Sequence, residues 1–329
     1  MNEQRTVTDI TDIPGIFAAH TTRAEGGSGC TVIVCPKGAT GGVDVRGGSP
    51  ATRETDLLRP EETVDVLHAV VLSGGSAYGL AAACGVAEEL ERHHIGIDVG
   101  CGVVPIVSSA CLFDLPVGDT HTRPTARDGA DACKRALTEH AGPLEQGNVG
   151  AGTGCSVGKI AGRERTMKSG LGQAVLTSHD LICGAVSAVN ALGNVLDPET
   201  QLPIAGTLDE THTHIVDTEE LVISANESSM FSSVPDRTNT TISCVVTNAR
   251  LTKAQATKVA QMCADAYAHA IRPTHTTSDG DTIFVMATGD VPAAPDAVGM
   301  LATRALEQAI ANGARHAQSA YGLIAACDL

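Results

Sequence analysis

Asn239-Thr240-Thr241-Ile242-Ser243-Cys244-Val245-Val246 is where the chain changes character. Upstream, from Asp197 to Thr238, Asp, Glu, Thr, Ser and Pro crowd around isolated apolar residues, which reads as a long surface segment. From Thr240 onward, β-branched and small apolar residues follow one another without a charge, the signature of a buried strand. A polar stretch that feeds abruptly into a core strand is where a backbone cut frees a new amino terminus without unravelling the fold.

Threonine at such a terminus has a specific chemistry. Its hydroxyl is a weak nucleophile until a base stands within hydrogen-bond reach. An N-terminal threonine carries that base itself, because an α-amino group titrates near ~7.7–8.0 and is substantially neutral close to pH 7.5. Before the cut, the same hydroxyl can attack the Asn239 carbonyl, moving the acyl group from nitrogen to oxygen for water to hydrolyse. The stiff β-branched side chain fixes the direction of the hydroxyl. Taken alone, the letters fit equally a turn residue followed by two strand threonines, or an N-glycosylation acceptor that would require secretion.

Outward from this point, short β-branched runs predict strands at Thr31–Val34, Ala69–Leu72, Val103–Val107, Gln173–Thr177, Gly184–Val189, Ile242–Thr247 and Thr282–Met286. Helical periodicity falls between them, at Ala77–His93, Ala126–His140, Lys253–Ile271 and Asp296–Asn312. Thr252 and Gln255 have capping-box spacing, and Arg272-Pro273 marks the end of that helix. Strands and helices alternate without a dinucleotide fingerprint or an eightfold repeat, so a layered α/β architecture of sheets between helical layers is expected.

Composition narrows the class. The 329 residues are 43% apolar and 18% charged, enough for a substantial core. The net charge of -16 is spread along the chain, which argues against a nucleic-acid partner. The polar N-terminus, Met1 to Ile13, has no apolar h-region, and no apolar run approaches the roughly 18 residues of a spanning helix, so a cytoplasmic protein without a membrane partner is expected. Aromatic residues are only 2%, so the core must be built from closely packed Gly, Ala and Val. The eleven cysteines, among them Cys84, Cys111, Cys183, Cys244 and Cys327, read as small core residues; no zinc spacing is completed and no metal is expected.

Four further features bear on the chemistry. Lys159 follows a glycine-rich run, but the first glycine of a P-loop is misplaced and Ile160 stands where a hydroxyl residue is required. No cofactor is therefore expected. Gly74-Gly75-Ser76, between a strand and a helix, fits either backbone N–H groups facing an anion or, preferably, tight packing with a supporting site role. Ser76 is not in a hydrolase elbow. The histidines are scattered and receive no catalytic assignment.

Several longer strings resemble one family, the L-aminopeptidase/D-esterase (DmpA-like) peptidases, which include the nylon-oligomer hydrolases. They are Leu72-Ser-Gly-Gly-Ser-Ala-Tyr-Gly-Leu80, Val104-Pro-Ile-Val-Ser-Ser-Ala-Cys-Leu-Phe-Asp-Leu115, Gly147-Asn-Val-Gly-Ala-Gly-Thr-Gly-Cys-Ser-Val-Gly-Lys159, Met167-Lys-Ser-Gly-Leu-Gly172, Ala188-Val-Asn-Ala-Leu-Gly193, Asn239-Thr-Thr-Ile242 and Asp279-Gly-Asp-Thr282. The resemblance implies an αββα sandwich of N-terminal-nucleophile type. It also implies a single domain, 1–329, processed into an α fragment, 1–239, and a β fragment, 240–329, that assemble as a homo-oligomer, a tetramer of αβ units. Thr240 then matches the nucleophile and Asn239 the residue before the cut. Lys159 and Asn190 match side chains lining the site, and Asp279 and Asp281 the acidic pair near the new amine.

Residue chemistry is compatible with each assignment. Asp279 and Asp281, two apart in an extended stretch, would share one side and could orient the amine, although Asp-Gly-Asp is also a common solvated turn. Asn190 could donate to an oxyanion, worth about 3–4 kcal/mol for such a donor, or simply close a strand. A lysine beside Thr240 could lower the amine's pKa; otherwise it is a surface residue. Phe113 stands where some relatives place tyrosine, which puts any phenolic role there in doubt. The expected activity is that of an aminopeptidase or amidase on a small peptide or amide. The alternatives are an endo-acting 6-aminohexanoate-oligomer hydrolase and an unprocessed binding protein.

Overall fold

The computed structural model describes residues 7–138, 142–225 and 239–329. Its framework is β1 (Phe17–Arg23), β2 (Ser28–Val45), β3 (Leu67–Ser73), α1 (Ala81–Arg92), β4 (Val107–Cys111), α2 (Ala126–Thr138), β5 (Leu171–Ser178), β6 (Leu181–Asn190), α3 (Thr218–Ala225), β7 (Thr240–Arg250), α4 (Lys253–Ala270), β8 (Thr282–Pro292) and α5 (Pro295–Arg315).

Strand β2, 18 residues long, belongs to two sheets. Its first part lies between β1 and β3, and β3 continues in parallel to β4. Its last part, Thr40 to Val45, pairs with β8, from which the second sheet runs on through β7 and β6 to β5. Strand alternation sends successive side chains to opposite faces, and the buried residues accordingly sort into three cores. Val32, Val34, Ala69 and Val71 pack under α1 and α2. Ile33, Val70, Leu72, Val186, Ile242, Cys244, Phe284 and Met286 fill the space between the sheets. Val245, Ile283 and Val285 meet Val259, Cys263, Leu306 and Ile310 of α4 and α5. Three apolar interfaces require four layers, and the fold is an αββα sandwich.

Small residues set the layer spacing. A Cβ on Gly85 would lie 1.7 Å from the Ala126 carbonyl oxygen, and one on Gly129 1.9 Å from that of Ala82, so α1 and α2 touch backbone to backbone. The capping box at the start of α4 forms as expected: Gln255 N–H donates to Thr252 Oγ1 and Thr252 N–H to Gln255 Oε1.

Some expectations change. Val103–Val107 is not one strand: Val103–Val104 pairs with Ile97–Asp98, and the sheet strand begins only at Val107, after Pro105, which has no N–H to give a ladder. Residues 76–80 form a 3₁₀ turn, so α1 starts at Ala81 rather than Ala77. The end of the second expected helix, Glu139 and His140, lies outside the described residues. Cys84 and Cys327 are exposed, not core: Cys84 is on the outer face of α1 and accepts from Arg53 Nη1 at 2.9 Å. Asp197–Thr238 is not wholly a surface segment. Thr207, Leu208 and Thr218 are buried, because Asn194 Oδ1 accepts from Thr207 N–H at 2.9 Å and Thr218 Oγ1 at 2.7 Å and draws the stretch inward. Residues 226–238 lie outside the described residues. Among those described, no helix is long and apolar enough to cross a membrane.

Candidate active site

Strand pairing builds the site before any side chain does. Thr240, the first residue of β7, is register partner to Asn190, the last of β6. One residue earlier, Asn239 forms a parallel bridge with Asp279, just before β8. All six residues singled out in the sequence therefore meet at one end of the second sheet. Asn239, Thr240, Asn190, Asp279 and Asp281 are buried there, and Lys159 is partly buried.

Thr240 Oγ1 donates to the carbonyl oxygen of Asn239, the residue it follows. The same oxygen accepts Gly280 N–H at 3.1 Å. A hydroxyl and a backbone N–H thus converge on the oxygen of the Asn239–Thr240 peptide bond. Gly280 is held close: a Cβ there would stand 2.7 Å from Thr240 Oγ1 and 3.0 Å from the Ser49 carbonyl oxygen.

Lys159 Nζ donates to Asn190 Oδ1 at 2.7 Å and to its carbonyl at 3.0 Å. Burial pushes the ammonium down to about 7, against the opposing pull of Asp279 and Asp114. The Asn190 amide accepts Ser156 N–H at 3.1 Å, and its Nδ2 donates to the Phe113 carbonyl at 2.9 Å. Asn190 is thus a junction that fixes Lys159 and Phe113. Gly280 N–H is a backbone donor on the Asn239 carbonyl, beside the Thr240 hydroxyl.

The carboxylates are distinct in their bonds. Asp281 Oδ1 accepts Thr241 N–H at 2.8 Å. Asp279 Oδ2 accepts Thr276 N–H at 2.7 Å and Thr276 Oγ1 at 2.6 Å. Burial, then the neighbouring Asp281 charge, raises Asp279 to about 6, while the Thr276 bonds and Lys159 act in the opposite direction.

A cleft of about 550 Å³ opens on Thr240, walled by Gly48, Ser49, Pro50, Ser76, Cys111 and Phe113. Behind Phe113 lies a smaller, mainly apolar pocket of about 190 Å³ that reaches Lys159. The Gly74–Ser76 turn forms one wall, and its backbone N–H groups are taken up within the fold. Gly74 N–H donates to the Gly29 carbonyl, Gly75 N–H to Asp114 Oδ1 and Ser76 N–H to the Leu112 carbonyl, which bears out packing as its role. Among the described residues no group of three or more His, Cys, Asp and Glu could hold a metal.

Sequence reasoning missed Gly280, the wall at residues 48–50 and His275, whose Nδ1 lies 2.9 Å from Asp281 Oδ2. The glycine between two aspartates was a visible signal, but the pair was read for its carboxylates and Gly280 was given no role. The Gly48-Ser49-Pro50 wall had none, because it reaches the site through bonds from Gly48 N–H to the Thr276 carbonyl and from Ser49 N–H to the Asp279 carbonyl.

Comparison with known proteins places the chain in a family. Residues 8–325 match the model of peptidase family S58. An uncharacterised aminopeptidase of Mycobacterium tuberculosis is 39% identical, the match covering 95% of each chain. A 6-aminohexanoate-oligomer endohydrolase of Kocuria sp. is 31% identical, over 86% of this chain and 76% of that one. The solved L-aminopeptidase D-Ala-esterase/amidase of Ochrobactrum anthropi, described as a variant of the Ntn hydrolase fold, superposes with a TM-score of 0.69 at 18% identity, covering 97% of this chain and 92% of that one. With a family match that spans nearly the whole sequence, this chain belongs to peptidase family S58 and is a hydrolase of peptide or amide bonds.

Proposed function

We propose that the chain cleaves itself between Asn239 and Thr240 and then uses Thr240 as an N-terminal nucleophile on short peptides or amides. One observation carries this reading: the Thr240 hydroxyl and the Gly280 N–H converge on the carbonyl oxygen of Asn239. Attack by Oγ1 forms a C–O bond, breaks the Asn239–Thr240 C–N bond and leaves the proton on the departing amine. Water then hydrolyses the ester, releasing Asn239 as a carboxylate and restoring the hydroxyl. In turnover the freed amine takes the Thr240 proton, the hydroxyl attacks a substrate carbonyl, the amine returns the proton to the leaving group, and water hydrolyses the resulting ester to release the acid and restore the hydroxyl. Lys159, brought near 7 by burial, adds a cation or a neutral amine at the register partner of Thr240.

Residues 1–239 and 240–329 would stay together. β7 is inserted between β6 and β8, and β8 is clamped by β2, so the strands of the two fragments interleave. The greater identity and coverage of the mycobacterial aminopeptidase favour exo-acting hydrolysis of substrates with a free amine. The nylon-oligomer endohydrolase, 31% identical, supports endo-action on linear amides as the second reading. A homo-oligomer, a tetramer of αβ units, and a cytoplasmic location complete the proposal and rest on family resemblance.

Expression of Thr240→Ala tests the mechanism: it should remain one band on a denaturing gel and hydrolyse neither an amino-acid p-nitroanilide nor a 6-aminohexanoate oligomer. Full activity in that variant would remove Thr240 from the mechanism. Rates on the p-nitroanilide, a β-peptide and the oligomer decide between exo- and endo-action.

A further inference from the structure

Thr241, next to the nucleophile, has both backbone groups held by side chains. Its N–H donates to Asp281 Oδ1 at 2.8 Å, and its carbonyl accepts Tyr267 OH at 3.1 Å. His275 touches both holders. Its Nδ1 lies 2.9 Å from Asp281 Oδ2, and its ring stacks on Tyr267 with centroids 5.5 Å apart and planes inclined by 14°. The backbone at His275 is left-handed, with φ +56°, and its own N–H donates to Asp281 Oδ2 at 3.1 Å, beside Thr274 Oγ1 at 3.2 Å. The loop thus turns sharply at a residue that brings a potential cation to the Asp281 carboxylate.

We propose that His275 is a positioning residue of the nucleophile site: its imidazolium holds the Asp281 carboxylate aimed at the Thr241 N–H, and through that bond holds Thr240 in place. The inference rests on Thr240 being the nucleophile. Asp281 is 2% exposed, and a carboxylate so buried is stable only when paired and fully bonded. A like charge stands two residues away in Asp279, so a counter-charge is needed on the other side.

The influences on His275 act in both directions and leave a net rise. Burial lowers the imidazole pKa, but pairing with Asp281 outweighs it and the net shift is upward; the Ala264 carbonyl of α4 adds to the rise. Arg46, just past β2, opposes the imidazolium and is itself paired to Asp44 at 2.8 Å. From α4 the facing titratable group is Tyr267, whose hydroxyl burial holds well above its ordinary pKa and therefore neutral. Lys159 acts on Asp279. Among these groups His275 is the cation in contact with Asp281.

His275→Asn tests this, since asparagine tolerates the left-handed backbone and carries no charge. Removing this cation should disfavour negative charge at Asp279, already raised to about 6, so the acid limb of processing and of kcat should move up by about one pH unit, with KM little changed. Independently, NMR titration of His275 in the uncleaved Thr240→Ala chain should show it protonated above its ordinary range, and Asp281→Asn should lower that value. An unmoved acid limb in folded His275→Asn, or a His275 titration indifferent to Asp281→Asn, would overturn the proposal. The NMR reading needs no turnover. Pairing without any processing in the wild type would therefore refute the Thr240 mechanism and not the His275–Asp281 contact.

Discussion

Replacing Gly280 with alanine should slow self-cleavage far more than it harms the fold. Gly280 is not among the residues with positive φ, so alanine is compatible with its backbone. The new Cβ would stand 2.7 Å from Thr240 Oγ1, about 0.7 Å inside ordinary contact. Of the other two neighbours, Thr240 Cγ2 at 3.2 Å belongs to the same side chain, and the Ser49 carbonyl oxygen at 3.0 Å cannot easily give way, because Ser49 N–H is bound to the Asp279 carbonyl at 2.8 Å and its hydroxyl to the Thr277 carbonyl at 3.0 Å. The displacement therefore falls on the Thr240 hydroxyl. Misplacement approaching 1 Å costs up to about 100-fold in rate, so processing should slow by roughly 10- to 100-fold. The Gly280 N–H is retained, which isolates hydroxyl placement from oxyanion stabilisation. The assay is a denaturing-gel time course of freshly made chain, following fragments of roughly 24 and 9 kDa, with a melting curve to confirm folding. Wild-type kinetics in a folded Gly280→Ala chain would refute the placement of Thr240 against the Asn239 carbonyl.

Three further outcomes follow from the same geometry. Lys159→Met should abolish any inflection in the rate profile near pH 7, the range to which burial lowers Lys159; an unchanged inflection would assign it to another group. Asn190→Asp keeps the acceptor for Lys159 and Ser156 but adds a negative charge, so the Lys159 inflection should move upward, as stopped-time rate profiles would show. Stability should rise with pH from about 7 to 9. Lys159 and Lys168 titrate at about 7 and about 8 when folded and near 10.5 when unfolded, so the unfolded chain binds more protons in that window. Above about 9 the sign reverses, because buried thiols such as Cys30, Cys133 and Cys263, raised to about 12, keep protons that the unfolded chain releases. Urea midpoints under reducing conditions at several pH values would check both limbs.

The layered α/β character was legible because its signal is local. β7 and β8 are uninterrupted small apolar and β-branched runs, and α4 has a capping box and regular periodicity. Strand β1 was not, since Thr21, Thr22 and Arg23 dilute its pattern, and its place at the sheet edge is set by pairing with β2. The site was legible in its residue types once the strings from Leu72 to Thr282 were matched to a family. Its geometry was not, because Asn190, Thr240 and Asp279 come together only through strand register. For the same reason the roles of Gly280 and of the Gly48–Pro50 wall could not be read from spacing. His275 was passed over because a histidine isolated in sequence carries no pattern; its meaning lies in Asp281 and Tyr267.

Identifying the amino termini of the purified, active protein tests self-cleavage most directly. A break between Asn239 and Thr240 predicts a second sequence beginning Thr-Thr-Ile-Ser-Cys alongside the methionine-end peptide. Active enzyme that yields only one amino terminus, with residues 239 and 240 still joined, would contradict it.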